Sequence, residues 1–195
     1  LRKVKRISDG NLVTVINKYL ERYDVYNLKT VLRGKCTGIT SEKIESLLLN
    51  VGRIHKQVLL NMMKRDTVSE VLGDIEKILI ADLPEMDARE LRTRLKTAQD
   101  TFKKNNNLFE IENVLDQQYY TTLLGFSKRM AGDGEHFKNF LLHEIDVLNI
   151  RTMLRLKREK MAATDIQKYL FFSGATLTKE TLKRLLKINA LDELV

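Results

Sequence analysis

Asp24, Asn27 and Arg33 lie within the stretch YDVYNLKTVLRGK at residues 23–35, and they return as Asp146, Asn149 and Arg155 in IDVLNIRTMLRLK at residues 145–157. An acid, an amide and a guanidinium held close together can move a proton, orient a substrate or satisfy one another's hydrogen bonds inside a protein. Seven of the thirteen positions are identical at a constant offset of 122. Carried over residues 17–52 and 139–174, that offset gives twelve identities in thirty-six pairs, including Asn17 with Asn139, Ile44 with Ile166, Leu48 with Leu170 and Gly52 with Gly174. Ordinary residue frequencies would give roughly two. The pattern reads as an internal duplication. Its period far exceeds the ~20–50 residues of a solenoid repeat, so what is repeated is a whole lobe.

A functional site is seldom needed twice in one chain, whereas a buried polar network is needed wherever the same fold is built. The six repeated polar residues are therefore expected to be structural, meeting each other and nearby backbone groups at a helical junction. On a helix, Val25, Leu28 and Leu32 form an apolar stripe beside them, and the matching Val147, Ile150 and Leu154 are expected to be core.

Other chemistry is sparse. Glu112 and Asp116 stand one helical turn apart, as paired carboxylates would, but so do many pairs on charged helices. His136 and His143 are seven residues apart, unlike the two zinc ligands of an H-E-x-x-H helix. There is no G-x-x-x-x-G-K-[ST] phosphate cradle, so neither catalytic residues, cofactor nor metal is expected. The single cysteine, Cys36, excludes an intrachain disulfide, and no histidine close in sequence activates it.

The net charge of +8 permits an acidic partner without choosing one. Cations gather at residues 1–6 and again at Arg151, Arg155, Lys157, Arg158 and Lys160, a run that is either a solvated helix face or a partner-facing surface. A basic helical nucleic-acid binder is the alternative reading. Against it, the sequence has no helix-turn-helix pattern, no zinc-finger spacing and no aromatic platform.

The elements that position these residues read as helices throughout. One proline, Pro84, interrupts 195 residues, and apolar residues recur at helical spacing, as at Ile111, Leu115, Tyr119 and Leu123. Thr67 with Glu70, and Asp87 with Glu90, have the spacing of capping boxes. Breaks are expected at Gly34–Gly38, Gly52, Asn105–Asn107, Ala131–Gly134 and Gly174. Residues 1–132 are assigned to a first lobe and residues 133–195 to a second, truncated copy, with one residue inserted late in the second. No run is long and apolar enough to span a membrane and no signal peptide is evident, so a cytosolic protein is expected. The start at Leu1 rather than Met suggests a fragment.

The D-x-x-N-[LI]-x-x-x-L-R phrase at Asp24–Arg33 and Asp146–Arg155, the glycine about twenty residues after each, and LDQQYY at residues 115–120 together resemble the C subunit of archaeal A-type and bacterial V-type ATP synthases, similar to the d subunit of eukaryotic vacuolar ATPases. The resemblance implies an all-α, funnel-shaped protein of three similar lobes. It also implies a position on the cytoplasmic face of the membrane, between the central stalk and the rotor ring of a proton- or sodium-transporting machine. Such a protein transmits torque without binding nucleotide or carrying an ion. The proline frequent near the lobe glycine in that family is absent from LNVGRI and FFSGAT.

Overall fold

Helices account for the regular structure in this computed structural model, which describes residues 10–130 and 132–188. In chain order they are α1 (Gly10–Leu20), α2 (Arg22–Thr37), α3 (Ser41–Leu47), α4 (Lys56–Met63), α5 (Val68–Ile80), α6 (Glu85–Asn105), α7 (Phe109–Arg129) and α8 (Gly134–Arg158). Then come α9 (Ala163–Ile166), a 3-10 turn at Gln167–Tyr169 and α10 (Lys179–Lys187). Among the described residues there is no strand. The basic run at residues 1–6, Ala131 and the segment from 189 onward lie outside them.

Local chemistry explains most boundaries. At the start of α5, the Thr67 hydroxyl accepts the Glu70 N–H at 3.2 Å while the Glu70 carboxylate accepts the Thr67 N–H at 3.2 Å, completing the reciprocal cap. The second expected box does not form. Helix α6 begins at Glu85, with Pro84 as the flanking residue at φ −55°, and Asp87 falls inside the first turn. With the helix already begun at Glu85, Asp87 and Glu85 complement the positive end of its dipole.

Breaks occur near the expected positions with one exception. Helix α6 ends at Asn106 and α2 at Gly38, both left-handed, with φ of 53° and 68°. Gly34, by contrast, lies inside α2. A Cβ there would overlap the Ile44 side chain, so this glycine allows α3 to approach closely rather than ending the helix.

The chain divides into two compact units, Leu1–Tyr119 and Tyr120–Val195. In the first, Leu28, Val31 and Leu32 of α2 pack in one core with Leu59 and Met62 of α4, Val71 and Ile75 of α5, Leu91 and Leu95 of α6, and Ile111 and Leu115 of α7. The second buries Leu141, Ile145, Met153 and Leu156 of α8, together with Ile166, Leu170, Leu182 and Leu186. The stepped residues Ile111, Leu115, Tyr119 and Leu123 are all buried, as their spacing requires.

One expectation about the core fails. Leu28 and Leu32 are fully buried in α2, but their counterparts Ile150 and Leu154 in α8 are only half-buried, and Val147 is 52% exposed. The sequence repeat preserves the stripe's residue types. What covers them differs between the two units.

Candidate functional site

Helix α2 carries Asp24 in its first turn and Asn27 one turn later, so both side chains project from the same side of the helix. They meet the loop at residues 48–55, whose backbone lacks helical partners. Asp24 Oδ2 accepts the Arg53 N–H at 2.7 Å and Oδ1 accepts the Ile54 N–H at 2.9 Å. The Asn27 amide donates to the Leu49 carbonyl at 2.7 Å and accepts the Leu49 N–H at 2.8 Å, which uses both of its polar ends on one residue. Burial raises the Asp24 carboxyl above its ordinary value, against the opposing pull of the two N–H bonds.

Helix α8 repeats these contacts. The Asn149 amide donates to the Phe171 carbonyl at 2.7 Å and accepts the Phe171 N–H at 2.8 Å, each 22 residues away, as for Asn27 and Leu49. Asp146 Oδ2 accepts the Thr176 N–H at 2.7 Å, and the Leu177 N–H approaches both carboxylate oxygens at 3.3 and 3.4 Å. The four side chains are similarly buried, with Asp24 at 6%, Asp146 at 8%, Asn27 at 0% and Asn149 at 1% exposure.

The partners of Asp146 lie 30 and 31 residues on, where those of Asp24 lie 29 and 30 on. Gly52 and Gly174 both abut the aspartate carboxylates, still at the offset of 122. The offset between matching contacts thus rises from 122 at Gly174 to 123 at Thr176. Lys35 and Lys157 show the same displacement: Lys35 Nζ donates to the Met63 carbonyl at 3.0 Å, 28 residues on, and Lys157 Nζ to the Leu186 carbonyl at 2.8 Å, 29 residues on. Lys157 also donates to the Ile188 carbonyl, and its burial lowers the ammonium pKa.

Arg33 stands apart from this network. Its guanidinium is exposed and forms a two-pronged ion pair with Glu112 of α7, at 2.5 and 2.7 Å. One turn back, Lys29 pairs with Asp116 at 2.5 Å. Lower residue numbers on α2 meet higher numbers on α7, so the two helices run antiparallel, with two cations on one facing two carboxylates on the other. Glu112 raises the Arg33 pKa further through its hydrogen bonds and charge. In these pairs the Glu112 and Asp116 carboxylates meet cations rather than each other.

Among the remaining candidates, Arg151, Arg155, Arg158 and Lys160 are exposed, as are His136 and His143. Cys36 is half-exposed, with its sulfur 3.8 Å from the Asn106 side-chain oxygen. Among the described residues no three His, Cys, Asp or Glu side chains gather as a metal-binding group, and no helix is long and apolar enough to cross a membrane.

Sequence reasoning named the residues of the polar network but not the partners of Asp24 and Asn27, which are backbone groups without a side-chain signature. It also missed Lys29. The matched four-residue spacings, 29 with 33 and 112 with 116, were the available signal.

The chain spans about half the length of the curated relatives it matches. It is 28% identical to the A-type ATP synthase C subunit of Methanococcoides burtonii over 187 residues, which cover 95% of this chain and 48% of that protein. Identity to the A-type ATP synthase C subunit of Methanosarcina acetivorans is 32% over 195 residues, covering 98% and 49%. With that of Haloferax volcanii it is 29% over 174 residues, covering 89% and 46%. No solved structure gives a significant match. The family described as ATP synthase (C/AC39) subunit matches residues 1–195, the whole of the sequence, and the chain belongs to that family.

Proposed function

We propose that this chain forms part of a non-catalytic coupling subunit in a rotary A- or V-type ATPase, built from duplicated helical lobes of which it contains the first and part of the second. The family match along the entire sequence is the observation that carries this reading. The geometry agrees with a mechanical part. Asp24, Asn27, Asp146 and Asn149 direct their polar atoms at loop backbone, so each pair ties a loop to a helix within its own unit.

In this reading the protein sits peripherally on the cytoplasmic face of the membrane, where it receives the central stalk and rests on the rotor ring. Torque passes through it between ATP chemistry and the movement of protons or sodium ions. It needs neither cofactor nor small-molecule substrate. The exposed cations Arg151, Arg158 and Lys160 are available to an acidic surface, whereas the Lys157 ammonium is engaged with the end of α10.

Affinity capture of the intact tagged protein from its native membrane tests the assignment. Recovery of rotor-ring and stalk subunits in fixed proportion is expected. Capture without either, from membranes in which the complex is intact, would overturn it.

A further inference from the structure

Gly34 and Leu156 hold the same place in the repeated phrase, 122 residues apart, and the two units use that place differently. Leu156 is fully buried, so α8 supplies an isobutyl group to its own core. Unit 1 supplies none. Ile44 leans over Gly34 into part of the room this leaves. Beside it remains a cavity of about 190 Å³ lined by Val31, Gly34, Lys35, Ile39, Ile44 and Met63. Val31, Ile44 and Met63 are buried, whereas Ile39 is 41% exposed, so the cavity meets solvent on that side. An apolar cavity of about 150 Å³ holds a benzene-sized molecule, and this one therefore has room for a branched aliphatic group.

Around that difference the two units agree. Gly38 and Lys160, which match at the same offset, are both left-handed, with φ of 68° and 59°. Lys35 and Lys157 each donate to a carbonyl near the end of the next long helix, α4 or α10. Lys157 donates to two carbonyls, those of Leu186 and Ile188, whereas among the described residues Lys35 donates only to Met63. An ammonium has three donors, so the half-buried Lys35 has capacity for another acceptor at the cavity wall. We propose that this cavity binds a branched aliphatic carboxylate of about the size of leucine. Its isobutyl group takes the role that the Leu156 side chain has in unit 2, and its carboxylate accepts from the Lys35 ammonium in a charge-assisted hydrogen bond. Two sources present that chemistry, a free short-chain acid and the C-terminal leucine of a peptide.

The Met63 methyl group reports on the site directly. The intact protein is labelled with carbon-13 at its methionine methyls, the Met63 resonance is identified by its loss in Met63→Leu, and 4-methylpentanoate is titrated at neutral pH. A saturable shift of that resonance with a millimolar Kd is expected, the strength ordinary for so small a ligand. The neutral 4-methylpentanamide should bind about tenfold more weakly, and acetate, which lacks the isobutyl group, should leave the resonance unmoved. Lys35→Gln should erase the preference for acid over amide, and Lys35→Arg should keep it. Gly34→Leu with Ile44→Ala restores the leucine of unit 2 and removes the side chain it would strike, so it should abolish the shift. Circular dichroism and thermal unfolding check that the variants fold. Acetyl-glycyl-leucine separates the sources: binding tighter than that of 4-methylpentanoate assigns the site to a chain end, and weaker binding assigns it to a free acid.

No saturable shift in the wild type, equal affinity for acid and amide, or unaltered binding after the cavity is refilled would each overturn the proposal. Recovery of stalk and ring subunits by the intact protein alongside any of those results would leave the coupling function standing and remove only the binding site.

Discussion

Gly52 lies against the carboxylate of Asp24 so closely that a Cβ at residue 52 would overlap both of its oxygens, and a Cβ at Gly174 would overlap Oδ1 of Asp146. The glycine lets the loop backbone reach the buried acid, and the acid supplies acceptors for the loop's N–H groups.

Gly52→Ala and Gly174→Ala should therefore destabilise the chain by similar amounts, about 1–3 kcal/mol, because the displaced carboxylate strands buried N–H groups. Denaturant unfolding measures the loss. In an Asp24→Ala background, where the obstructing carboxylate is gone, Gly52→Ala should cost much less. Equal costs in both backgrounds would mean that the glycine serves something other than the acid.

Arg33 and Glu112 should couple by about 0.5–1.5 kcal/mol in a double-mutant cycle with alanine. The two-pronged geometry and buried acid favour the upper part of that range, while Arg33's exposure favours the lower. Added salt should diminish the coupling. A value indistinguishable from zero at low salt would show that apolar packing alone joins α2 to α7.

The acidity of Asp24 predicts a pH dependence of unusual sign. Burial raises its folded pKa above the ordinary carboxylate value, so within the interval between the two the native state holds a proton that the unfolded state has released. The contribution of this group to stability falls as pH rises through that interval and is constant above it. Comparing unfolding of the wild type with Asp24→Asn across the interval isolates the effect. A wild type that instead gains stability relative to Asp24→Asn as pH rises would show that the two N–H bonds outweigh desolvation.

The helices were legible because apolar residues recur at helical spacing with little interruption, and the Thr67 cap because two side chains announce it. Gly34 was misread because glycine marks close approach as well as chain breaks, and only the position of Ile44 distinguishes them. Val147 was misplaced for a related reason. A repeated sequence conveys that two helices are alike, whereas burial depends on the neighbour that covers each one. The residues of the polar network were visible through their repetition, and Gly52 and Gly174 pointed to their loops. The atoms they bond are backbone N–H and C=O groups, which every residue but proline carries in full and which therefore leave no trace in a sequence.

The central claim is that the repeated polar residues build lobes of a coupling protein and do not themselves grip a partner. Its most direct test compares thermal stability with ATP-driven ion pumping after reconstitution of the intact protein with Asn27→Leu or Asn149→Leu. Both replacements should lower stability by a similar amount, of order 1–3 kcal/mol, because each strands the carbonyl and N–H of one loop residue, Leu49 or Phe171. Pumping should decline only as the folded fraction declines. An Asn149→Leu protein that melts like the wild type yet fails to assemble or to couple would contradict the account.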